Sequence, residues 1–168
     1  MKQVSSWFIY DVLGKQTDTT EEIMVDQPDR LVIQSIGLEV PLVYVDETNE
    51  GVFQRGLERG VVHYPDTALP GELGNAYYFG HSSDYVFKKG KYKTVFATLP
   101  KVELGDKIYI TNHDGRQFGY EVIDKLIVDS QDVSVLSQGD YDKRRLTLQT
   151  SWPLGTALKR YVVVAEIK

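Results

Sequence analysis

From residue 30 onwards, this chain is dominated by short runs in which apolar and polar positions alternate. Such alternation is typical of strands with one buried face. The β-branched segment Leu31–Val43 is interrupted at Gly37 and Pro41, which predicts two short strands joined by a bend, with both residues acting as breakers. Two alternating runs between Val102 and Val128 flank Asp114-Gly115, and this pattern predicts a β-hairpin.

The remaining apolar segments complete a β-rich pattern with mostly short connections. About eight strands joined in this way predict a closed or nearly closed barrel. Residues 1–29 predict a lead-in segment that is partly helical, ahead of a single barrel domain over residues 30–168. The further predicted elements are strands over 75–80, 144–150 and 159–167, single helical turns within 46–53 and 133–136, and a stretch at 91–99 that fits either helix or loop.

Composition narrows the classes of function that fit. A chain of 168 residues with 42% apolar residues is long enough for one domain with its own core. A formal net charge of −5, with only short basic pairs, argues against a nucleic-acid partner, because phosphate binding needs clustered cations. The absence of cysteine excludes disulfides and thiolate metal sites, and the three histidines lack the HExxH spacing of a zinc site. No stretch approaches the ~20 apolar residues of a membrane span.

Three side chains that suit acyl-transfer chemistry lie at predicted strand ends. Side chains alternate along a strand, so Ser151 projects on the face opposite Leu146 and Leu148. Arg160 opens the next strand nine residues later, which brings its guanidinium within reach of Ser151 if the two strands are antiparallel. His81 follows another apolar strand, and the sequence alone does not establish that this strand is a neighbour.

These segments resemble the two signatures of the sortase family. Residues 147–150 read Thr-Leu-Gln-Thr before Ser151, as Thr-Leu-x-Thr precedes the nucleophilic cysteine of sortases, and Arg160 follows at a family-like offset. Residues 74–82, Gly-Asn-Ala-Tyr-Tyr-Phe-Gly-His-Ser, resemble the strand that delivers the catalytic histidine. The resemblance covers residues 31–168 and implies a mostly β fold, a closed eight-stranded sortase-type barrel with a few short helices.

The resemblance also implies an activity. In a sortase, a cysteine thiolate cleaves a Leu-Pro-x-Thr-Gly-like sorting signal after threonine, and an amine of a peptidoglycan precursor or pilin lysine releases the acyl group. The histidine protonates the leaving amine, and the arginine binds substrate and stabilises negative charge. His81, Ser151 and Arg160 would occupy these positions. The implied substrate-binding residues are Thr150, Trp152, Gly155 and Thr156, and the implied location is the extracellular face of the cytoplasmic membrane in a bacterial envelope, with a membrane anchor preceding the domain.

Ser151 departs from the family pattern. A serine hydroxyl needs a positioned general base, whereas a thiol supplies a strong nucleophile once a cation lowers its pKa. We therefore expect the chain to be catalytically silent or nearly so, as a Cys-to-Ser variant of an active transpeptidase. The alternative is a natural pseudo-sortase that binds sorting-signal peptides without cleaving them. A serine hydrolase is disfavoured because no G-x-S-x-G elbow is present.

The connection between residues 129 and 143 corresponds in order to the sortase loop that covers the sorting signal. Its ordinary interpretation, a solvated surface loop, stays open at this point. Calcium, which one class of sortases binds here, is not supported, because Asp129, Asp132 and Asp140 lack a ligand spacing. The sequence therefore predicts no metal and no cofactor, and it leaves the choice between surface-protein anchoring and pilus assembly open.

Overall fold

The computed structural model describes residues 27–83 and 90–168, and these form a closed barrel of eight strands. Around the barrel the order is β1-β2-β3-β4-β7-β8-β6-β5; β2/β3 and β4/β7 are parallel neighbours, and the other pairs are antiparallel. The predicted mostly β, closed eight-stranded barrel is confirmed. The strands are β1 Arg30–Ile33, β2 Leu38–Val43, β3 Val61–His63, β4 Gly74–Phe79, β5 Lys107–Thr111, β6 Gln117–Asp129, β7 Arg144–Trp152 and β8 Lys159–Glu166.

The helical parts are short. One α-helix, α1 (Glu50–Leu57), occurs in the described part of the chain, together with 3-10 turns at Gln34–Ile36, Leu99–Lys101 and Ser134–Leu136. Residues 91–98, which fit either helix or loop in the sequence, form turns. The predicted partly helical lead-in over residues 1–29 lies, up to residue 26, outside the described residues. No helix within the described ranges is long and apolar enough to cross a membrane.

The alternating apolar side chains of the strands fill the barrel interior. Leu31 and Ile33 of β1, for example, are fully buried, as are Leu146 and Leu148 of β7. The side chains that alternate with the buried ones in β1, Arg30 and Val32, are partly exposed on the outer surface, which is the period-two pattern seen in the sequence. The outer face of β4 is covered as well, because Tyr77 is only 2% exposed. This second covered face is where the candidate site lies.

Pro41 is not the strand breaker that the sequence indicates, since it lies inside β2 opposite Arg30. Leu42 N donates a hydrogen bond to Asp29 O at 2.8 Å, so the residue pair next to Pro41 and Arg30 is the hydrogen-bonded one. The pairing with β1 therefore needs no N–H at position 41. The parallel partner β3 joins β2 only from Leu42 onwards. A proline is tolerated here because its missing N–H removes no ladder hydrogen bond.

Helix α1 starts four residues later and extends further than the turn predicted within 46–53. Asn49 caps it, because its side-chain oxygen accepts a hydrogen bond from Val52 N at 2.9 Å. Leu57 packs with Val43 and Val62 in a small cluster on the outside of the barrel. This packing holds α1 against β2 and β3, where it forms one wall of the candidate site.

Candidate active site

Ser151 and Arg160 are direct cross-strand partners in the β7/β8 ladder. β7 ends one residue after Ser151, and β8 begins one residue before Arg160. Both side chains are half-buried. The Arg160 guanidinium is steadied by donating through Nη1 to the carbonyl oxygens of Ala157 at 3.3 Å and Lys159 at 3.2 Å. A hydroxyl and a guanidinium therefore share one rim of the barrel.

His81 reaches the same rim through the parallel pairing of β4 with β7. Phe79 is aligned with Gln149. His81 lies two residues after Phe79, and Ser151 lies two residues after Gln149, so the two side chains leave their strands at the same level. Two hydrogen bonds continue the alignment: Gly80 N donates to Gln149 O at 3.1 Å, and the buried Thr150 hydroxyl donates to Gly80 O at 2.8 Å. The neighbour relation that the sequence alone did not establish is thus present.

Gly80 is required immediately before His81 because the backbone passes close to the core. A Cβ at this position would lie 2.8 Å from the Phe96 ring. On the other side of His81, Ser82 is buried, and its Oγ has no hydrogen-bond partner among the residues that the structure describes. Ser83 Oγ accepts a hydrogen bond from Gly155 N at 2.9 Å, which ties the β7–β8 turn to the segment that carries His81.

His81, Ser151 and Arg160 all line one cleft of about 440 Å³. Its floor is the outer face of β4 and β7, α1 forms one wall, and the connection between β6 and β7 forms the other. A cleft of this size accommodates a few residues of peptide.

Aromatic rings make one side of the cleft apolar. Phe53 of α1 meets Phe79 edge-on, with 4.9 Å between ring centroids, and contacts Tyr64 at 5.6 Å. Tyr64 in turn meets Tyr77 at 6.1 Å. Val133, 74% exposed, lies at the opposite lip. The walls therefore suit a ligand with apolar side chains flanking a polar backbone.

One polar group on the floor links this apolar wall to the rim. The Tyr77 hydroxyl donates a hydrogen bond to the Gln149 side-chain oxygen. Burial raises the pKa of Tyr77 far above its usual value, and the charge of Arg160 offsets only part of that rise. Tyr77 therefore stays a neutral hydrogen-bond donor at physiological pH, and it orients the Gln149 amide inside the cleft.

The connection between β6 and β7 is attached to the barrel by amide side chains. Asn75 Nδ2 donates to the carbonyl oxygens of Val135 at 3.0 Å and Ser137 at 3.2 Å, and its Oδ1 accepts from the Thr147 hydroxyl at 2.7 Å. Gln138 Oε1 accepts from Asn75 N at 3.0 Å. The connection is therefore a cleft wall with fixed contacts to β4 at residues 135–138, although Ser137 remains exposed.

The four predicted substrate-binding residues divide into two groups. Thr150 belongs to the cleft lining, although its buried hydroxyl is occupied by Gly80 O. The Trp152 ring packs on Tyr161, with 5.3 Å between centroids, at the margin of the barrel core. Gly155 and Thr156 are exposed in the β7–β8 turn. The structure does not bring Trp152, Gly155 or Thr156 into the cleft lining.

The acidic side chains of the β6–β7 connection do not converge. The Ser134 side chain and Ser134 N, the latter at 2.9 Å, both donate hydrogen bonds to Asp132, and these lower the pKa of its carboxyl group. Asp129 lies 3.8 Å from the ammonium group of Lys159. Nowhere in residues 27–83 and 90–168 do three histidine or carboxylate side chains meet in a way that could hold a metal ion. The donor set for calcium is therefore not assembled here.

Sequence reasoning missed the aromatic wall and the amide anchors. Phe53, Tyr64 and Gln138 come from three separate segments, and their isolated positions carry no motif. The burial of Tyr77 could have been predicted from the sequence. Tyr77 lies between the buried Ala76 and Tyr78, and such an unbroken apolar run is typical of a strand that is buried on both faces.

Comparison with known proteins agrees with the geometry. The sortase domain family model matches residues 31–168. Sortase D of Bacillus subtilis (strain 168) is 33% identical over 139 residues, which are 81% of this chain and 61% of that protein. The chain thus spans less than two thirds of the length of that relative.

Solved structures show the same likeness. Sortase C-1 from Actinomyces oris superimposes with a TM-score of 0.69 at 27% identity, covering 84% of this chain and 74% of that chain. The Sortase D5 transpeptidase of Clostridium perfringens gives a TM-score of 0.67 at 28% identity, covering 88% and 83% respectively. With the family model matched over nearly the whole barrel, this chain belongs to the sortase family.

Proposed function

We propose that this barrel is the catalytic domain of a transpeptidase that cleaves a Leu-Pro-x-Thr-Gly-like sorting signal and joins it to an amine. The observation that carries the proposal is the shared cleft: Ser151 is paired with Arg160, and His81 lines the same space. These residues stand where the sortase signatures place nucleophile, arginine and histidine. The Sortase D5 relative is itself described as a transpeptidase.

The first half-reaction requires a nucleophile at position 151. A cysteine thiolate there attacks the carbonyl carbon of the signal's threonine and forms a tetrahedral oxyanion. The cation of Arg160 is on the adjacent strand and stabilises this oxyanion. His81 then donates its proton to the departing amine nitrogen, the carbon–nitrogen bond breaks, and a thioester remains.

The second half-reaction restores the enzyme. An incoming amine, from a peptidoglycan precursor or a pilin lysine, attacks the thioester carbonyl while His81 takes up its proton. The carbon–sulfur bond breaks, a new amide forms, and the thiolate is regenerated. The proposed setting is the extracellular face of the cytoplasmic membrane, with a membrane anchor on the parent protein.

With Ser151 in the nucleophile position, the same cleft binds the signal but acylates poorly. The serine hydroxyl is a weak nucleophile unless a base removes its proton in the transition state. The cross-strand partner of Ser151 is Arg160, a cation that cannot act as a base, so removal of the serine proton would depend on His81, which lines the same cleft but is not paired with Ser151 in the strand ladder. The chain as it stands is therefore proposed to be a disabled transpeptidase.

The test is Ser151→Cys, incubated with Leu-Pro-x-Thr-Gly-like peptides and a small amine and followed by intact-protein mass spectrometry. We expect an acyl adduct and ligated product with Ser151→Cys and neither with the parent chain. Ser130→Cys is the matched control, because Ser130 lines the same cleft but is not paired with an arginine in the described strand ladders. Since the chain has no other cysteine, each variant carries a single thiol.

Three outcomes contradict parts of the proposal. Equal adducts at positions 151 and 130 would mean a generic thiol reaction, not a built site. Repeated turnover by the parent chain would refute its proposed inactivity. Peptide binding by both forms, with no adduct on Ser151→Cys, would favour the pseudo-sortase that only binds sorting signals.

A further inference from the structure

A second groove, of about 920 Å³, lies at the end of the barrel opposite the cleft. It shares no lining residue with the cleft. β7 runs from Arg144 in this groove to Ser151 in the cleft, and seven steps along a strand separate the two by roughly 20 Å. The groove is therefore independent of the proposed chemistry.

The groove has an apolar bed. Phe118, Pro70 and Ile167 line it, together with Leu69, whose side chain is 46% exposed. Gly71 lies directly on the Phe118 ring: its backbone has φ +82°, and a Cβ there would come within 2.2 Å of the ring. These side chains form an open apolar surface on which the apolar side chains of another chain segment can pack.

The edges of the groove carry a small excess of cations. Arg116, Arg144 and Lys168 line it beside Glu72 and Asp114, and Lys168 also lies 2.5 Å from a carboxylate oxygen of Glu121, although the protein as a whole carries a net charge of −5. This excess favours acidic over basic side chains in an occupant.

The described chain begins at the edge of this groove. Asp29 N donates to Asn112 O at 3.4 Å, and Asp29 Oδ2 accepts from His113 Nδ1 at 2.9 Å. Asn112 and His113 both line the groove. Residues that precede Gln27 therefore start beside the groove, so the entropy cost of bringing them to it is small.

The preceding residues have the complementary composition. Residues 17–26, Thr-Asp-Thr-Thr-Glu-Glu-Ile-Met-Val-Asp, contain four acidic and no basic side chains. The apolar triplet Ile23-Met24-Val25 lies between Glu22 and Asp26. Ten residues reach ~33 Å when extended, which is more than enough to cross the groove.

We propose that residues 17–26 of this chain dock in the groove, with Ile23–Val25 on the bed formed by Phe118 and Leu69 and with the acidic side chains at its basic edges. Docking keeps the segment that leads into β1 at the end of the barrel opposite Ser151. The cleft then faces away from whatever precedes residue 17, which leaves it open to substrate.

The experiment uses the full chain with Thr20→Cys as its only cysteine, labelled with a nitroxide, and records paramagnetic broadening of backbone amide signals by NMR. We expect strong broadening at residues 69–72 and 118. Amides at 27–29, 112–113 and 116 are not scored, because the covalent connection to the label broadens them in any arrangement, Arg116 being hydrogen-bonded to Asn112. A label at Ser134→Cys, beside the cleft, is the control and leaves the groove amides sharp.

Charge exchange makes the test specific. Glu21→Lys with Glu22→Lys, or Arg116→Glu with Lys168→Glu, should each reduce the groove broadening at least threefold, and combining all four substitutions should restore it. The proposal is overturned if the groove amides are not broadened, or if their broadening does not change on charge reversal. It is also overturned if a labelled copy broadens the groove amides only of other, unlabelled copies, because the occupant would then be a second copy of the chain.

Discussion

At the scale of single residues, Thr150 shows how one hydroxyl aligns the proposed nucleophile and acid. It is 2% exposed, and its hydroxyl donates to Gly80 O at 2.8 Å. Thr150 immediately precedes Ser151, and Gly80 immediately precedes His81. The hydrogen bond therefore joins β7 and the end of β4 at the point where both strands deliver their functional side chains.

We predict that Thr150→Val lowers the free energy of unfolding by about 1–3 kcal/mol, because the isosteric side chain leaves the buried Gly80 carbonyl oxygen without this partner. Urea titration followed by circular dichroism measures the change. Thr156→Val is the control, since its hydroxyl also donates to a carbonyl oxygen, that of Pro153 at 2.8 Å, but in an exposed turn. The control should stay within ~0.5 kcal/mol of the parent. Equal losses in both variants would show that burial is not the cause.

At the scale of elements, the β6–β7 connection depends on Gln138. Its Oε1 accepts from Ala68 N and Asn75 N, both at 3.0 Å, and its Nε2 donates to Asn75 O and Leu136 O, also at 3.0 Å. One half-buried amide thus satisfies backbone groups from three segments. The wall of the cleft formed by residues 133–136 is held in place from this point.

We predict that Gln138→Ala loosens the wall while the barrel stays folded. Amide exchange at Ala68 and across residues 134–137 should become about tenfold faster, because losing these hydrogen bonds lowers the local opening free energy by ~1.4 kcal/mol or more. Hydrogen–deuterium exchange with mass spectrometry measures this change. Gln131→Ala, an exposed position in the same connection, is the matched control. Unchanged exchange at 134–137 in Gln138→Ala would mean that other contacts hold the wall.

The elements differ in how far their sequence predicts them. The hairpin around Asp114-Gly115 was predicted because its turn and its alternation are local features. Pro41 was misinterpreted because the breaker rule concerns a missing N–H, and only the register shows that none is needed there. The anchor between Gln138 and Asn75 joins residues 63 positions apart, and no local pattern specifies such a contact.

The residues of the candidate site also differ in how far local sequence patterns predict their positions. Position 151 and its partner Arg160 belong to adjacent strands, so spacing alone predicts their proximity. His81 reaches them through a parallel pairing of distant strands, which the family resemblance supplied and the sequence pattern did not. The α1 wall depends on packing of Phe53 against Phe79, a tertiary contact without a sequence signature.

At the scale of the whole molecule, the barrel encloses one histidine that limits its stability in mild acid. His63 is 5% exposed, lies between the rings of Tyr44 and Tyr78, and binds Ala68 O through Nε2 at 2.9 Å. Burial lowers its pKa below the usual value, and the Ala68 hydrogen bond and the charge of Glu72 offset this only in part. The folded state therefore keeps His63 neutral at a pH where the unfolded chain binds a proton.

The sign of the pH dependence follows from this difference. A histidine whose folded pKa is depressed contributes stability above its unfolded pKa of ~6.5, and that contribution is lost as the pH falls through that value. His113 acts in the opposite sense, because its hydrogen bond to Asp29 raises its pKa, but it is fully exposed and solvent screens it. The lowered pKa values of Asp106, Glu121 and Asp132 matter only below about pH 4.5.

We therefore predict that the free energy of unfolding falls between pH 7.5 and pH 5.5 with a slope of at most ~1.4 kcal/mol per pH unit, and that His63→Gln flattens this slope. Glutamine keeps an N–H donor for Ala68 O and does not titrate, so the slope reports the histidine proton even if the variant is less stable overall. Urea midpoints at pH 5.5, 6.5 and 7.5 measure it. His113→Gln is the control and should steepen the slope slightly or leave it unchanged, because it removes a contribution of opposite sign. A His63→Gln slope equal to that of the parent would assign the acid sensitivity to another group.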